Sequence, residues 1–136
     1  MPVVDAADIA TRDWLIQDIA TLANDFAALM DAPYVRMRLD VIKTNACRRF
    51  HVDAVIAHLV CTYRGQTTQF GYSESNEDPK DIHAVPPACP VIGRGTKWPD
   101  DAPTRLRHRS PPIEGTGQTR LLLVLDPMDT DEDNLF

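Results

Sequence analysis

The segment CRRFHVD, residues 47–53, places a histidine and an aspartate two residues apart, next to an apolar run. On a β-strand such residues point to the same face, so His51 and Asp53 would present an imidazole nitrogen and a carboxylate oxygen side by side. They would form two thirds of the facial triad that holds non-haem Fe(II), which a distant histidine completes and which leaves coordination positions open. The spacing therefore predicts a metal site that includes both residues.

His108, in RLRHRSPP, is the histidine that we expect to complete this site. The turn PPIEGTG follows it and would return the chain, so that Arg120 lies beside the metal ligands. A guanidinium there would bind a carboxylate through two parallel hydrogen bonds, a task that lysine does less well. Arg109, next to His108, would also bind an anion, and the Tyr63 hydroxyl would hydrogen bond to a bound acid.

The same residues also have structural interpretations. His51 would then donate a hydrogen bond to Asp53 or to a backbone carbonyl, and Tyr63 would be a packing residue. His83 is a replacement ligand if His108 points elsewhere, and Cys47 is another because it lies four residues before His51. The remaining histidine, at position 58, lies on the strand face opposite Leu59 and Cys61, and it is predicted to be structural or exposed.

One helix is predicted before the residues that would bind the metal. TRDWLIQDIATLANDFAALM, residues 11–30, repeats apolar residues at steps of four and three, the period of one helical face: Leu15, Ile19, Leu22, Phe26 and Leu29. Thr11 or Asp13 is expected to cap its start, and Pro33 to end it. The apolar face is interpreted as packing on the rest of the protein, with a partner-binding helix as the alternative.

From Tyr34 the apolar period becomes two. YVRMRLDVI alternates apolar and charged residues, which predicts a strand with one buried face formed by Val35, Met37, Leu39 and Val41. AVIAHLVCTY and RLLLVLD are apolar enough for central strands, and shorter extended segments lie between them. Many short strands with one helix predict an α+β, mainly β chain in which antiparallel strands form a barrel.

The chain length and composition predict one domain. The 136 residues, 43% of them hydrophobic, suffice for a single core, with the helix at 11–30, the barrel at 34–126 and an acidic, loosely attached or disordered tail at 127–136. Three cysteines without a C-x-x-C pair are expected to be reduced. Without an apolar run of membrane-spanning length or a signal-peptide pattern, the expected location is the cytoplasm, with no membrane association.

The charge distribution favours a small anionic molecule over nucleic acid as the ligand. The net charge is −6, but residues 34–125 carry thirteen Lys and Arg against nine acids. A duplex-binding face usually has a denser basic stripe, so we expect no nucleic acid partner. The oligomeric state stays open, with a homodimer as one candidate.

Two resemblances extend these predictions. CRRFHVD, CTYRGQTTQF and HRSPPIEGTGQTRLLLVLDP resemble recurring blocks of a bacterial family, the domain of unknown function 1826 family, from about Leu15 to Pro127. The order His-x-Asp, distal His, then Arg distantly resembles the Fe(II)/2-oxoglutarate dioxygenases. Their fold, a double-stranded β-helix (cupin-type jelly roll), implies that the barrel is of this type and carries the helix on its outside.

The dioxygenase resemblance implies a role for each candidate residue. His51, Asp53 and His108 would hold Fe(II), and Arg120 would anchor the far carboxylate of 2-oxoglutarate. The protein would then be an oxygenase that oxidises a C–H bond of a small molecule.

The family resemblance implies an alternative, because members are associated with zinc-related GTPases. The same three ligands would then hold zinc in a non-enzymatic accessory protein, with Cys47 or His83 as the fourth ligand. A third interpretation is a sugar- or acid-binding fold without metal. Whether the protein is an enzyme therefore stays open at the level of sequence.

Overall fold

The structure, a computed structural model, describes residues 5–75, 77–100 and 104–129. In chain order its elements are the helix α1 (Ala6–Met30) and the strands β1 (Tyr34–Ile42), β2 (Ala57–Arg64), β3 (Gln69–Tyr72), β4 (Val91–Arg94), β5 (Leu106–Arg109) and β6 (Arg120–Met128). The predicted α+β, mainly β class is therefore confirmed.

Helix α1 begins five residues earlier than the sequence predicted. Asp5, rather than Thr11 or Asp13, is the N-cap, and its carboxylate accepts a hydrogen bond of 2.9 Å from a backbone N–H of the first turn. This bond satisfies one of the donors that a helix leaves free at its start. The helix ends at Met30, and Asp31 follows it in the left-handed conformation with φ 49°.

The strands form two antiparallel sheets. The first has the order β1-β6-β2-β4, with β6 in its centre, and the second pairs β3 with β5. The described strands do not show the closed barrel that the sequence predicted. The turn at residues 111–117 carries the chain from the two-stranded sheet to the four-stranded sheet, because β5 and β6 belong to different sheets.

The four-stranded sheet has two different faces because side chains alternate along each strand. Alternate residues of β2 and β6 form the buried core with α1: Phe26, Leu59, Cys61, Leu123 and Leu125. The residues between them, including His58, Val60, Leu122 and Val124, line a cleft on the other side. Helix packing therefore covers one face of the sheet and leaves the other for the cleft.

The predicted burial of one face of β1 is wrong for most of its length. Met37, Leu39 and Val41 are 54%, 41% and 66% exposed, and of this face only Val35 packs against the core. The reason is the strand order, since β1 is an edge strand and the core lies over β2 and β6.

The C-terminal part of the chain continues the central strand. Pro127 and Met128, assigned to the tail from sequence, are the last residues of β6. The rest of the predicted tail, from residue 130, lies outside the described residues. All three cysteines are free, and the described part of the chain contains no helix with the length and apolar character needed to cross a membrane.

Candidate metal centre

His51 and Asp53 lie in the irregular segment between β1 and β2, not on a strand as the sequence predicted. His51 forms an isolated antiparallel bridge with His108 on β5, in which each backbone N–H donates to the other carbonyl at 3.0 Å. Two residues further along the segment, the Asp53 carbonyl accepts a hydrogen bond of 2.9 Å from the backbone N–H of Thr96. The segment is therefore held by both β5 and the turn after β4.

Gly95 allows this turn to approach the Asp53 segment closely. Its N–H donates to the carbonyl of Ile56 at 2.9 Å, and the N–H of Lys97 donates to that of Val55 at 3.0 Å. A Cβ atom at position 95 would lie 1.8 Å from the Val55 carbonyl oxygen and 2.8 Å from that of Asp53. Since such distances are sterically forbidden, only glycine permits this packing.

The structure brings the three predicted ligands together. His51 Nε2 lies 3.1 Å from Asp53 Oδ1, and His108 Nε2 lies 3.3 Å from Asp53 Oδ2. One ligand atom from each residue lies within 4.8 Å of the other two. Nitrogen and oxygen ligands bind transition metals at about 2.1 Å, so small side-chain rotations would place all three around one cation.

His58 is a fourth member of the cluster, which the sequence prediction missed. It is buried on β2, and its Nδ1 lies 3.1 Å from Asp53 Oδ2. Gly93 pairs with it on β4, where an added Cβ would lie in ordinary van der Waals contact, 3.4 Å from His58 Nε2. The sequence feature that could have indicated His58 is its place on the strand face opposite Leu59. That place points to the cluster only once this face is known to line the cleft.

The contacts of His51 direct its Nε2 at the Asp53 carboxylate. His51 Nδ1 lies 2.6 Å from the Arg49 carbonyl, so this nitrogen carries the proton that it donates. In the neutral ring, Nε2 then directs a lone pair at the Asp53 carboxylate, and two electron-rich atoms 3.1 Å apart repel unless a proton or cation lies between them.

The pKa shifts of the other two ligands point the same way. Burial lowers the pKa of His108, which favours the neutral imidazole. Hydrogen bonds from His108 and then His58 hold the pKa of Asp53 well below its usual value. Neutral imidazole and ionised carboxylate are the forms that bind metal ions, and a cation on His108 Nε2 would replace the proton that this nitrogen donates to Asp53.

The cluster opens into a cleft of about 460 Å³, a volume within the range of small-molecule sites. Strand β1 contributes charged side chains to its wall, and these are paired. Arg36 Nη2 lies 2.8 Å from Asp126 Oδ2, and Arg38 Nε lies 3.8 Å from Asp40 Oδ2. The Arg36 Nε atom is buried without a hydrogen-bond partner among the described residues.

Arg120 does not line this cleft. Its side chain is fully buried, and its Nε donates to the Gln66 carbonyl at 2.7 Å while Nη2 donates to Thr68 Oγ1 at 3.0 Å. Burial also lowers the pKa of Arg120. Thr68, which accepts from Arg120, lines the cleft and Arg120 does not, so the structure does not bring Arg120 to the predicted carboxylate position.

The other two predicted acid-binding residues also lie elsewhere. Tyr63 is on the helix side of the sheet, where its hydroxyl donates to Asp18 at 2.6 Å. Arg109 donates from Nε to Gln69 at 2.8 Å and stacks 4.5 Å from the centre of the Phe50 ring. Neither side chain lines the cleft.

The two replacement ligands differ in position. Cys47 is exposed and lines the same cleft as the cluster. His83 is exposed, and its backbone pairs with Phe70 on β3 through hydrogen bonds of 2.8 and 2.9 Å. Of the two, only Cys47 lines the cleft.

A family profile described as "Protein of unknown function (DUF1826)" matches residues 3–126, which is most of the chain. The chain belongs to the DUF1826 family. Searches of curated proteins and of solved structures returned no match. All four cluster residues of this DUF1826 protein lie within the matched region, but the family description states no activity. Its function is therefore argued from the cluster and the cleft.

Proposed function

We propose that this DUF1826 protein binds one divalent metal ion through His51, Asp53 and His108 and admits a small molecule to the adjoining cleft. The observation that carries the proposal is the 3.1 Å approach of His51 Nε2 to the Asp53 carboxylate while Nδ1 donates to Arg49. A cation between these atoms would satisfy both and is within reach of His108.

The ligand set favours Fe(II) and an oxygenase reaction. Two imidazoles and one carboxylate leave coordination positions open, which is the arrangement of non-haem iron oxygenases. Bound iron would activate oxygen for oxidation of a C–H bond, while the chain orients the small molecule and excludes water. A cleft lined by the four-stranded sheet and by His108 of the two-stranded sheet is also compatible with the double-stranded β-helix to which the sequence bears a distant resemblance.

The cleft suits an anionic molecule such as 2-oxoglutarate only if a residue other than Arg120 anchors it. Arg36 and Arg38 are the guanidinium groups on the cleft wall, and Arg36 Nε is a buried donor with no partner among the described residues. We therefore propose Arg36 as the carboxylate anchor, with a bound carboxylate sharing its guanidinium with Asp126.

A zinc-handling accessory protein is the second candidate function. His58 Nδ1 lies 3.1 Å from the same carboxylate, and Cys47 lines the same cleft, so a fourth protein ligand is at hand. Four protein ligands would close a tetrahedral zinc site and leave no position for a substrate. This function would fit the link to zinc-related GTPases that the sequence resemblance implies.

Metal analysis tests the proposal directly. Protein purified without added metal, and then reconstituted with Fe(II) or Zn²⁺, should bind about one ion per chain, as in mononuclear sites of this ligand number. His51→Ala, Asp53→Asn and His108→Ala should each lose the ion, whereas the matched control His83→Ala should retain it. Absence of stoichiometric metal from the wild type, or equal retention in all variants, would overturn the proposal.

Spectroscopy separates the two candidate functions. Under anaerobic conditions, Fe(II) with 2-oxoglutarate should give a visible charge-transfer band that Arg36→Gln weakens and Arg109→Gln leaves unchanged. Tight zinc binding without such a band, and without any change on adding small carboxylates, would favour the accessory protein.

A further inference from the structure

Strand β1 has one paired edge and one free edge. All nine of its residues are in register with β6. Among the described residues, no backbone hydrogen bond joins β1 to anything else. The free edge therefore presents unpaired N–H and C=O groups that can template the addition of another strand.

The opposite edge of the same sheet is a poorer template for strand addition than β1. Strand β4 has only four residues, follows Pro90 and contains Gly93, features that make an edge a poor template. Strand β1 has nine residues and contains no proline, glycine or lysine. Any strand addition to this sheet is therefore expected at β1.

The side chains of β1 indicate what would pair with it. On the helix side, Met37, Leu39 and Val41 are exposed apolar residues at alternate positions. On the cleft side, Arg36, Arg38 and Asp40 carry both signs of charge. A partner strand should therefore be apolar on one face and have complementary charges on the other, and β1 itself has this composition.

We propose that β1 pairs antiparallel with β1 of a second copy of this chain, about a two-fold axis through Leu39. Leu39 would then lie opposite its own copy, Met37 opposite Val41, and Arg38 opposite Asp40, each of the last two pairs occurring twice. Cross-strand pairs of apolar and of oppositely charged residues stabilise antiparallel strands. The interface would be isologous, as in most homodimers.

The charges and the length of β1 select this register over its neighbours, since an axis at Val41 would pair only residues 40–42 of the strand. Moving the axis to Arg38 or Asp40 would place that residue against its own copy, and moving it to Met37 would place Arg38 against Arg36. Like charges directly opposite each other are destabilising. A shift of the partner strand by one residue is also excluded. It would turn the helix-side residues of the partner to the cleft side.

This dimer would extend the walls of the candidate site. Arg36, Arg38 and Asp40 line the cleft, so the clefts of the two copies would lie on the same face of one eight-stranded sheet, with β1 of each copy at the joint. The inference depends on the edge strand alone and is independent of whether the cluster binds a metal.

The mass of the full chain in solution tests the dimer. Light scattering after size exclusion should give twice the 15.2 kDa mass of one chain. Leu39→Lys should give a monomer, because it places two ammonium groups at the axis, whereas the control Ile92→Lys, on the β4 edge, should stay dimeric. A monomeric wild type, or equal effects of the two lysines, would overturn the proposal.

Charge exchange tests the register without depending on the Leu39 variant folding. Asp40→Arg should raise the dimer dissociation constant at least about tenfold because Arg38 would then face arginine, a like-charge pair. The double variant Arg38→Asp/Asp40→Arg should restore dimerisation, and failure to do so would overturn the register. A wild type that dimerises only after removal of residues 130–136 would show that the chain's own end occupies the edge, which would also overturn the proposal.

Discussion

At the scale of single residues, Asp53 is the centre of the candidate site because three imidazole rings meet its carboxylate. If His51, Asp53 and His108 hold the cation, His58 can remain on Oδ2 and fix the orientation of the carboxylate. In that role it is a positioning residue, and the cation keeps open positions. If His58 binds the cation instead, the site is closed, so this one side chain distinguishes the two candidate functions.

We predict that His58→Ala weakens metal binding without abolishing it. Loss of a residue that orients a ligand typically lowers metal affinity about 10–100-fold. Titration against a chelator of known affinity should show this decrease with unchanged stoichiometry, and His83→Ala should have wild-type affinity. A lower melting temperature with wild-type affinity would show that His58 is only structural.

The candidate site is partly predictable from sequence, since residue type and spacing indicate His51, Asp53 and His108 as its ligands. The strand alternation used to pair the first two does not occur, and a backbone bridge to β5 positions His51 instead. Residue type also favoured Arg120 as an anion anchor. Its burial by residues 62–68 depends on packing between the sheets, which no local pattern contains.

At the scale of elements, local patterns predicted the strands better than their surroundings. Strand β1 has the predicted bounds because its alternation is a property of nine consecutive residues. Its exposure was predicted wrongly because burial depends on which strands become neighbours, and β6, distant in sequence, takes the central place. The predicted closed barrel, which depends on the same long-range pairing, is not shown by the described strands.

The turn at residues 95–97 gives a prediction at this scale. Gly95→Ala should destabilise the fold and lower metal affinity together, because the added Cβ would displace the backbone of residues 53–56. The control Gly115→Ala meets no atoms within 4 Å and should cost only about 1 kcal/mol, the strain of its positive φ. Chemical unfolding and chelator titration measure the two effects, and wild-type metal affinity in Gly95→Ala would contradict the prediction.

At the scale of the whole molecule, α1 covers two ionisable groups on the sheet face opposite the cleft. Burial raises the pKa of the Cys61 thiol to about 11. Burial, with the hydrogen bond to Asp18 next in importance, raises the pKa of the Tyr63 hydroxyl. Both groups stay neutral in the folded protein at a pH where they ionise in the unfolded chain. Alkaline pH therefore destabilises the fold in which α1 packs on the sheet.

The sign of this linkage predicts a loss of stability above pH 9. A thiol whose folded pKa is raised contributes stability that is fully present below the unfolded value of 9.0 and is lost as pH rises towards about 11. The loss from Cys61 alone is at most about 3 kcal/mol, since each pKa unit corresponds to about 1.4 kcal/mol. Urea unfolding under reducing conditions and at fixed protein concentration, at several pH values from 7.5 to 10.5, measures this loss.

Cys61→Ala should reduce the decline of the unfolding free energy with pH. The unfolding free energy of Cys89→Ala, at an exposed thiol, should decline like that of the wild type. If Cys61→Ala also declines like the wild type, the thiol beneath α1 does not ionise on unfolding as its burial requires.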